Sequence, residues 1–472
     1  MSFITRRRQV DQRPAAEGEH ELAPTLRWPH LVALGVGAIV GTGIYTLTGV
    51  GAGLAGPGVI LSFAIAGIVC TLAALCYAEM ATLMPHAGSA YSYSYAGMGE
   101  LVAWIIGWSL ILEYTVVCSA VAVGWSGYAQ GFLEARGVVL PPALASGLLT
   151  GEAGGLVNLP AVLITLAVAG VLLMGVRESA NANIVLVVLK LSALLAFIVL
   201  ALPAFDAARF SPFLPFGFAA HTGPDGAPQG VMAAAALIFF AFYGFDAIST
   251  AAEEAKDPGR DLTLGIIGSM VACAVIYMAV AAAALGASPW QAFSKSDEPL
   301  AFILRSGGHD LAATLIAAAA VIALPTVIMA FMFGQSRVFF AMARDGLLPR
   351  GLARLSPRGA PVRVTLFTAI LASVIAGAAP LKLIAELANA GTLAAFVATA
   401  ASMMILRLGR PDLPRPFRTP VWWLVGPLAI AGCLYLFWSL PALTRWLFLG
   451  WNLVGLVVYL AWSRRHSLLA GG

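Results

Sequence analysis

The sequence predicts an all-α integral membrane protein of twelve transmembrane helices, and three observations predict it: composition, the length of the apolar runs, and where the basic residues fall. Of 472 residues, 60% are hydrophobic and only 11% charged, against roughly a quarter charged in an ordinary soluble domain. No water-soluble core absorbs that much apolar side chain. The apolar runs recur at about the 20 residues that a helix needs to cross about 30 Å of hydrocarbon. In order they are Leu31–Ala55, Gly58–Leu83, Leu101–Phe132, Leu159–Val176, Ile184–Leu202, Val231–Ser249, Leu262–Leu285, Leu311–Phe333, Val362–Ala378, Leu383–Leu406, Val421–Leu440 and Leu443–Trp462. A membrane barrel would show short alternating segments instead, and the bilayer's demand that every backbone polar group be satisfied leaves a helical bundle.

Starting from a cytoplasmic N-terminus, twelve spans carry most of the 27 Lys and Arg to the cytoplasmic side. These are Arg6, Arg7, Arg8, Arg13 and Arg27 before the first span, then Arg177, Lys256, Arg260, the group from Arg337 to Arg363, the group from Arg407 to Arg418, and Arg464 with Arg465. Arg136, Arg209, Lys295, Arg305, Lys382 and Arg445 fall outside, and Lys190 lies within a span. That bias is the one cytoplasmic loops carry, so both termini are predicted to be cytoplasmic in a multi-pass protein of the cell membrane. The net charge of +4 then reflects short loops beside an anionic leaflet, and no nucleic-acid role follows from it. The polar, Arg-rich first 30 residues and the long apolar run behind them predict no signal cleavage. The cysteines Cys70, Cys76, Cys118, Cys273 and Cys433 all fall inside apolar spans. They lack the spacing of a metal site or a disulfide framework, so they are read as packing side chains, with no metal and no cofactor.

Behind a cytoplasmic segment (1–30), the spans divide into two five-helix blocks of similar length, 31–203 and 230–407, followed by a final pair, 420–463. An odd number of helices per block makes the second enter the membrane upside down. Inverted repeats of this kind place a substrate site near the midplane, where the first helix of each repeat is interrupted. Each expected place offers an interruption: the run Gly35-Val-Gly-Ala-Ile-Val-Gly-Thr-Gly43 in the first span, and Phe239-Phe-Ala-Phe-Tyr-Gly-Phe-Asp246 in the sixth. Close helix packing through Gly37 and Gly41 is the alternative for the glycines. A phosphate-cradling loop is not supported, because no strand precedes them and no Lys-Ser/Thr follows.

Unwound backbone inside a bilayer needs partners, and a zwitterion supplies both kinds. The amides of Gly41, Thr42 and Gly43, at the positive end of the following half-helix, suit a carboxylate. Carbonyls near Ile39 and at Phe240, Ala241 and Tyr243 suit an ammonium group. Lys190, about eight residues into its span in Val187-Val-Leu-Lys190, either snorkels to the cytoplasmic face or, stripped of water, carries a proton through the transport cycle. A fixed ammonium there also argues against a bound sodium ion. Glu113 is a second candidate, lining the side-chain end of the pocket or exchanging protons, with a structural ion pair or a hydrogen-bonded acid as the alternative. Asp246 is read as a cap on the second half of the interrupted sixth helix, while Glu79 and Glu386 are assigned no specific role. Phe240, Phe242, Tyr243 and Phe245 serve as packing or as a gate over the substrate, and spacing does not decide between the two.

Four stretches carry a family resemblance: Trp28 through Tyr45, Tyr77 through Tyr93, Phe239 through Pro258, and Gln335 through Pro349. They resemble the amino acid–polyamine–organocation superfamily, in particular its cationic amino acid transporter branch and the bacterial proton-coupled members of it. The resemblance covers most of residues 27–410. It implies a leucine-transporter-type 5+5 inverted repeat and uptake by alternating access, with the carboxylate near Gly41, Thr42 and Gly43 and the amine on sixth-helix carbonyls. It also implies a lysine, Lys190, standing where other members hold sodium. In the eighth span, the stretch Ala323-Leu-Pro-Thr-Val327 corresponds to residues that sort substrates by size. There Pro325, beside Thr326, departs from the pattern.

The expected function is therefore secondary active, proton-coupled symport of neutral or cationic L-amino acids, with no enzymatic chemistry. Expected partners are the amino acid, the proton and the lipid bilayer. A small single-span membrane subunit is left open. An amino acid or polyamine exchanger is the alternative within transport, and a transporter-derived amino acid sensor the alternative outside it.

Overall fold

The computed structural model describes residues 6–7, 26–85, 88–151, 153–174, 180–224, 226–250, 252, 255–352 and 361–468. Arg8, Arg13, Arg177, Arg354 and Arg358, and the end of the fourth span at Gly175–Val176, lie outside the described residues. The described chain is mainly helical, with one two-residue antiparallel pairing, His221–Thr222 with Pro228–Gln229, and isolated bridges Leu26–Ala255 and Gly147–Leu156.

The helices are α1 (Trp28–Ile39), α2 (Thr42–Tyr45), α3 (Leu47–Ala55), α4 (Val59–Leu83), α5 (Ser89–Gly97), α6 (Glu100–Glu134), α7 (Pro142–Ala145), α8 (Leu159–Leu173), α9 (Ala180–Ala201) and α10 (Val231–Ile238). They continue as α11 (Phe245–Thr250), α12 (Pro258–Ala287), α13 (Trp290–Phe293), α14 (Pro299–Ser306), α15 (Asp310–Arg344), α16 (Val362–Ala378), α17 (Leu381–Gly409), α18 (Trp422–Ser439), α19 (Ala442–Val458) and α20 (Arg464–His466). Among the described residues, nine helical stretches are long and apolar enough to cross a membrane, accompanied by three shorter apolar helices, Trp28–Ile39, Leu159–Leu173 and Val362–Ala378. The first of these is short because its helix is interrupted. The second and third have 15 and 17 residues, about 22 and 26 Å at about 1.5 Å per residue.

Length also differs from expectation at α15, whose 35 residues make it about 52 Å long at about 1.5 Å per residue. Arg337 and Arg344, read above as loop charges, therefore sit on its last turns. Arg337 stacks its guanidinium over Phe333 at 4.0 Å.

The first and sixth spans lie at the centre, wrapped by α4, α6, α9, α12, α15 and α17. Every described residue of α2 and α10 is buried. α18 and α19 pack on the outside, and their Trp423, Trp438 and Trp446 are exposed, as suits side chains that face lipid or its headgroups.

A buried carboxylate helps to tie the end of the bundle that carries most of the basic side chains. Glu79 on α4, 1% exposed, accepts from Arg407 Nε and Nη2 at 2.6 and 2.7 Å and from the Thr419 amide at 2.8 Å. Arg415 Nε lies 3.2 Å from it. A carboxylate buried in its ionised form needs such partners, and here they staple the α17–α18 connection onto α4.

Candidate functional site

Two helices are interrupted, and the interruptions meet. α1 stops at Ile39, Val40 turns to extended backbone, and α2 begins at Thr42. α10 ends at Ile238 in a single tight turn, Phe239–Ala241, and α11 begins at Phe245 after Gly244, whose φ of +119° only glycine adopts without strain. A methyl group on Gly43 would fall on the Ala241 Cα and lie 2.6 Å from its Cβ. One on Gly244 would lie 3.0 Å from the Ala38 carbonyl carbon. The glycines thus allow the two backbones to touch. Both outer ends are also tied across, by Gly230 N–H to the Leu54 carbonyl at 2.9 Å and by Lys256 N–H to the Leu26 carbonyl at 2.8 Å.

An interrupted helix leaves its last carbonyls and the next helix's first amides without helical partners. Side chains from three other helices take up the carbonyls. Lys190 Nζ on α9 donates to the Gly37 carbonyl at 2.8 Å, the Tyr277 hydroxyl on α12 donates to the Ile39 carbonyl at 2.8 Å, and Asn389 Nδ2 on α17 donates to the Ala236 and Leu237 carbonyls at 2.7 and 3.0 Å. Among the groups left over in the described residues are the amides of Gly41, Thr42 and Gly43 on one side and the carbonyls of Phe240, Ala241 and Tyr243 on the other. Gly41, Thr42 and Gly43 on one side and Phe240 and Tyr243 on the other border one cavity, lined also by Ala38, Ile39, Val117, Val121, Val327 and Phe331, with Ala241 just behind it. Its free space of about 10 Å³ has room for about one water. Besides the two interrupted segments, its lining comes from Val117 and Val121 of α6 and Val327 and Phe331 of α15.

Lys190, 0% exposed, reaches the interruption from the side. Besides Gly37 it donates to Thr326 Oγ1 at 3.2 Å, so one ammonium joins α9, α1 and α15. The snorkelling alternative does not describe this side chain, which points inward to the interruption of α1. Asp246 accepts from the Gly244 amide at 3.1 Å and from the Tyr114 hydroxyl at 3.1 Å, and so holds the second half of the sixth span in the manner of a cap.

A family model described as amino acid permease matches residues 26–461. The chain belongs to the amino acid permease family. This permease is 44% identical to the branched-chain amino acid permease BcaP of Bacillus subtilis over 96% of each chain. It is 41% identical to the methylthioribose transporter of Bacillus subtilis, over 99% of this chain and all of the relative. It is 40% identical to the vacuolar cationic amino acid transporter 2 of Arabidopsis thaliana, over 87% of this chain and 64% of the relative. The permease is a multi-pass membrane transport protein, and it is not an enzyme.

Of the residues expected at the site, Ile39, Gly41, Thr42, Gly43, Phe240 and Tyr243 border the cavity of the permease, and Ala241 touches Gly43 just behind it. Four others do not line it. Glu113 lies one helical turn beyond Val117, about 6 Å along α6. It is fully buried against Gly391 of α17, with neither carboxyl oxygen hydrogen-bonded among the described residues. Phe242 turns the other way, packing on Phe63 and Tyr277 with ring centroids 6.1 and 5.2 Å away. Thr326 faces Lys190, and Pro325 lies inside α15 one residue before it. The Ile39 carbonyl, expected to receive an ammonium group, already accepts from Tyr277.

Tyr277 and Asn389 give no distinctive signal in the sequence. Each is a single polar residue in an apolar span, and that cost of insertion is the one hint that it serves another helix.

Proposed function

We propose that this permease carries a small, apolar, zwitterionic L-amino acid into the cell together with a proton, by alternating access across twelve spans arranged as two inverted five-helix repeats (31–203 and 230–407) and a final pair (420–463). One observation carries the reading. Residues with amides lacking helical partners, Gly41–Gly43, and residues with carbonyls in the same condition, Phe240 and Tyr243, line one cavity, with Ala241 just behind it. An α-carboxylate and an α-ammonium are separated by one carbon and satisfy both sets at once. The side chain then meets Val117, Val121, Val327 and Phe331, a wall without charge, which favours a branched apolar substrate over a cationic one. The branched-chain permease among the relatives supports the same choice. The bias of Lys and Arg toward one side supports cytoplasmic termini.

Coupling is assigned to Lys190. Protonated, it binds the Gly37 carbonyl and Thr326, bracing α1 against α15; deprotonated, it loses charge at both contacts, and the first helix is freer to move. In proteoliposomes, an inward proton gradient should drive accumulation of labelled L-valine without internal substrate, and Lys190→Ala should abolish that drive while remaining folded. Uptake that needs substrate on the far side and ignores the gradient would mean exchange. Binding without accumulation would mean a sensor. The methylthioribose transporter, similar over nearly the whole chain, favours a second reading, uptake of that uncharged thio-sugar, which the same vesicles test directly by competition.

A further inference from the structure

Pro325 interrupts the hydrogen-bond ladder of α15 without ending the helix. Having no N–H, it leaves the carbonyl four residues before it, that of Val321, without the donor an α-helix provides. Within an apolar span, hydrocarbon supplies no replacement. The indole of Trp125 on α6 does: its Nε1–H donates to the Val321 carbonyl at 2.8 Å.

What surrounds this bond gives it a function. On α6, the residue before Trp125 is Gly124, where a methyl group would lie 2.7 Å from Thr42 Oγ1, and one turn earlier Val121 lines the cavity. The Val121 carbonyl accepts from Thr42 at 3.5 Å. On α15, Thr326 follows the proline and holds the Lys190 ammonium, and Val327 after it lines the cavity and packs on Gly41. One turn of α15 therefore touches both the ammonium and the wall where a substrate side chain would rest. Its position relative to α6 is tied by the Trp125 bond.

We infer that Trp125 and Pro325 are a positioning pair. The bond sets how closely the Thr326–Val327 turn approaches Lys190 and the cavity, so that substrate size and the protonation of Lys190 are sensed by the same turn. This rests on the transport reading above and adds to it a determinant of selectivity and of its coupling to pH. A larger apolar side chain pressing on Val327 moves Thr326 with it, since adjacent residues of a helix cannot move independently.

The test uses the full-length permease in proteoliposomes, with wild-type KM for valine and isoleucine and the pH profile of each measured first. Trp125→Phe keeps an aromatic ring and removes the donor, leaving the part-buried Val321 carbonyl unpaired. KM for valine should rise about tenfold, the valine-to-isoleucine preference should change, and the midpoint of the pH profile should move with it. Pro325→Ala in the Trp125→Phe background supplies the helical N–H that Val321 lacks, and should recover most of the KM, preference and midpoint. The pairing is overturned if the double variant is no better than Trp125→Phe, or if Trp125→Phe lowers only the maximal rate. It is also overturned if preference changes while the pH midpoint stays. Were the wild type indifferent to pH, proton coupling would fail, while the recovery of KM and preference would still decide the positioning role.

Discussion

Gly43 is the point at which the two interrupted helices are closest, and it provides the sharpest test of why they can meet. Gly43→Ala adds one methyl group where the Ala241 Cα stands and 2.6 Å from the Ala241 Cβ. Ordinary carbon contacts begin near 3.4 Å, so the backbones of α2 and of the Phe239–Ala241 turn must part by about 1 Å in a close-packed interior. Overpacking of this kind costs about 1 to 3 kcal/mol, and because the displaced atoms are the backbone amides and carbonyls proposed to hold the substrate, the loss is expected to fall on binding. Converted, that is roughly a 5- to 150-fold rise in the valine concentration needed for half-maximal uptake. The control is Gly450→Ala, which meets nothing within 4 Å and should leave uptake at the wild-type level. Both variants are compared in proteoliposomes at equal protein, after checking that each elutes as a single folded species. Wild-type uptake by a well-folded Gly43→Ala would refute the argument that contact between these two backbones forms the site.

Two further substitutions probe the side chains that complete the interruptions and close the bundle. Asn389→Ala strips the Ala236 and Leu237 carbonyls of their donor. At about 1 to 3 kcal/mol for an unpaired buried carbonyl, it should lower the melting temperature in detergent and weaken valine uptake, whereas an unchanged melting curve would remove Asn389 from the account. Glu79→Gln leaves Arg415, whose side chain is 3% exposed, and its neighbour Arg407 without their carboxylate. Breaking a buried pair from one side costs about 3 to 5 kcal/mol, so the melting temperature should fall further than for Asn389→Ala, with the affinity for valine preserved in the molecules that remain folded.

Which parts were legible in the sequence follows from the range of the interactions. Spans are written locally, in apolar length: α4 lies where its apolar run puts it, and α6, α12 and α17 extend theirs by a few residues at each end. The interruptions were legible too, because glycine clusters and a charge within an apolar run are local anomalies. Gly41 and Gly244 both fall on them. Hydrogen-bond partners between distant helices are not local. Tyr277 is 238 residues from Ile39, and Asn389 is 153 from Ala236, so no window of sequence contains both members of either pair. Glu79 illustrates the same limit: nothing near it indicates that its partners are Arg407 and Arg415. Glu113 and Phe242 went astray for a smaller reason, since one helical turn or one residue decides whether a side chain faces a cavity or a neighbouring helix.

The central claim is that two interrupted helices hold the two charged ends of one small molecule. Competition against labelled L-valine uptake tests it with three compounds that share a branched side chain: L-valine, isobutylamine, which lacks the carboxylate, and 3-methylbutanoate, which lacks the amine. Hydrogen bonds to a charged group contribute about 1.5 to 3 kcal/mol each, so removing either end should weaken competition by about 10- to 150-fold relative to unlabelled valine. If either half-molecule competes as well as valine itself, the site does not grip both ends, and the account is wrong.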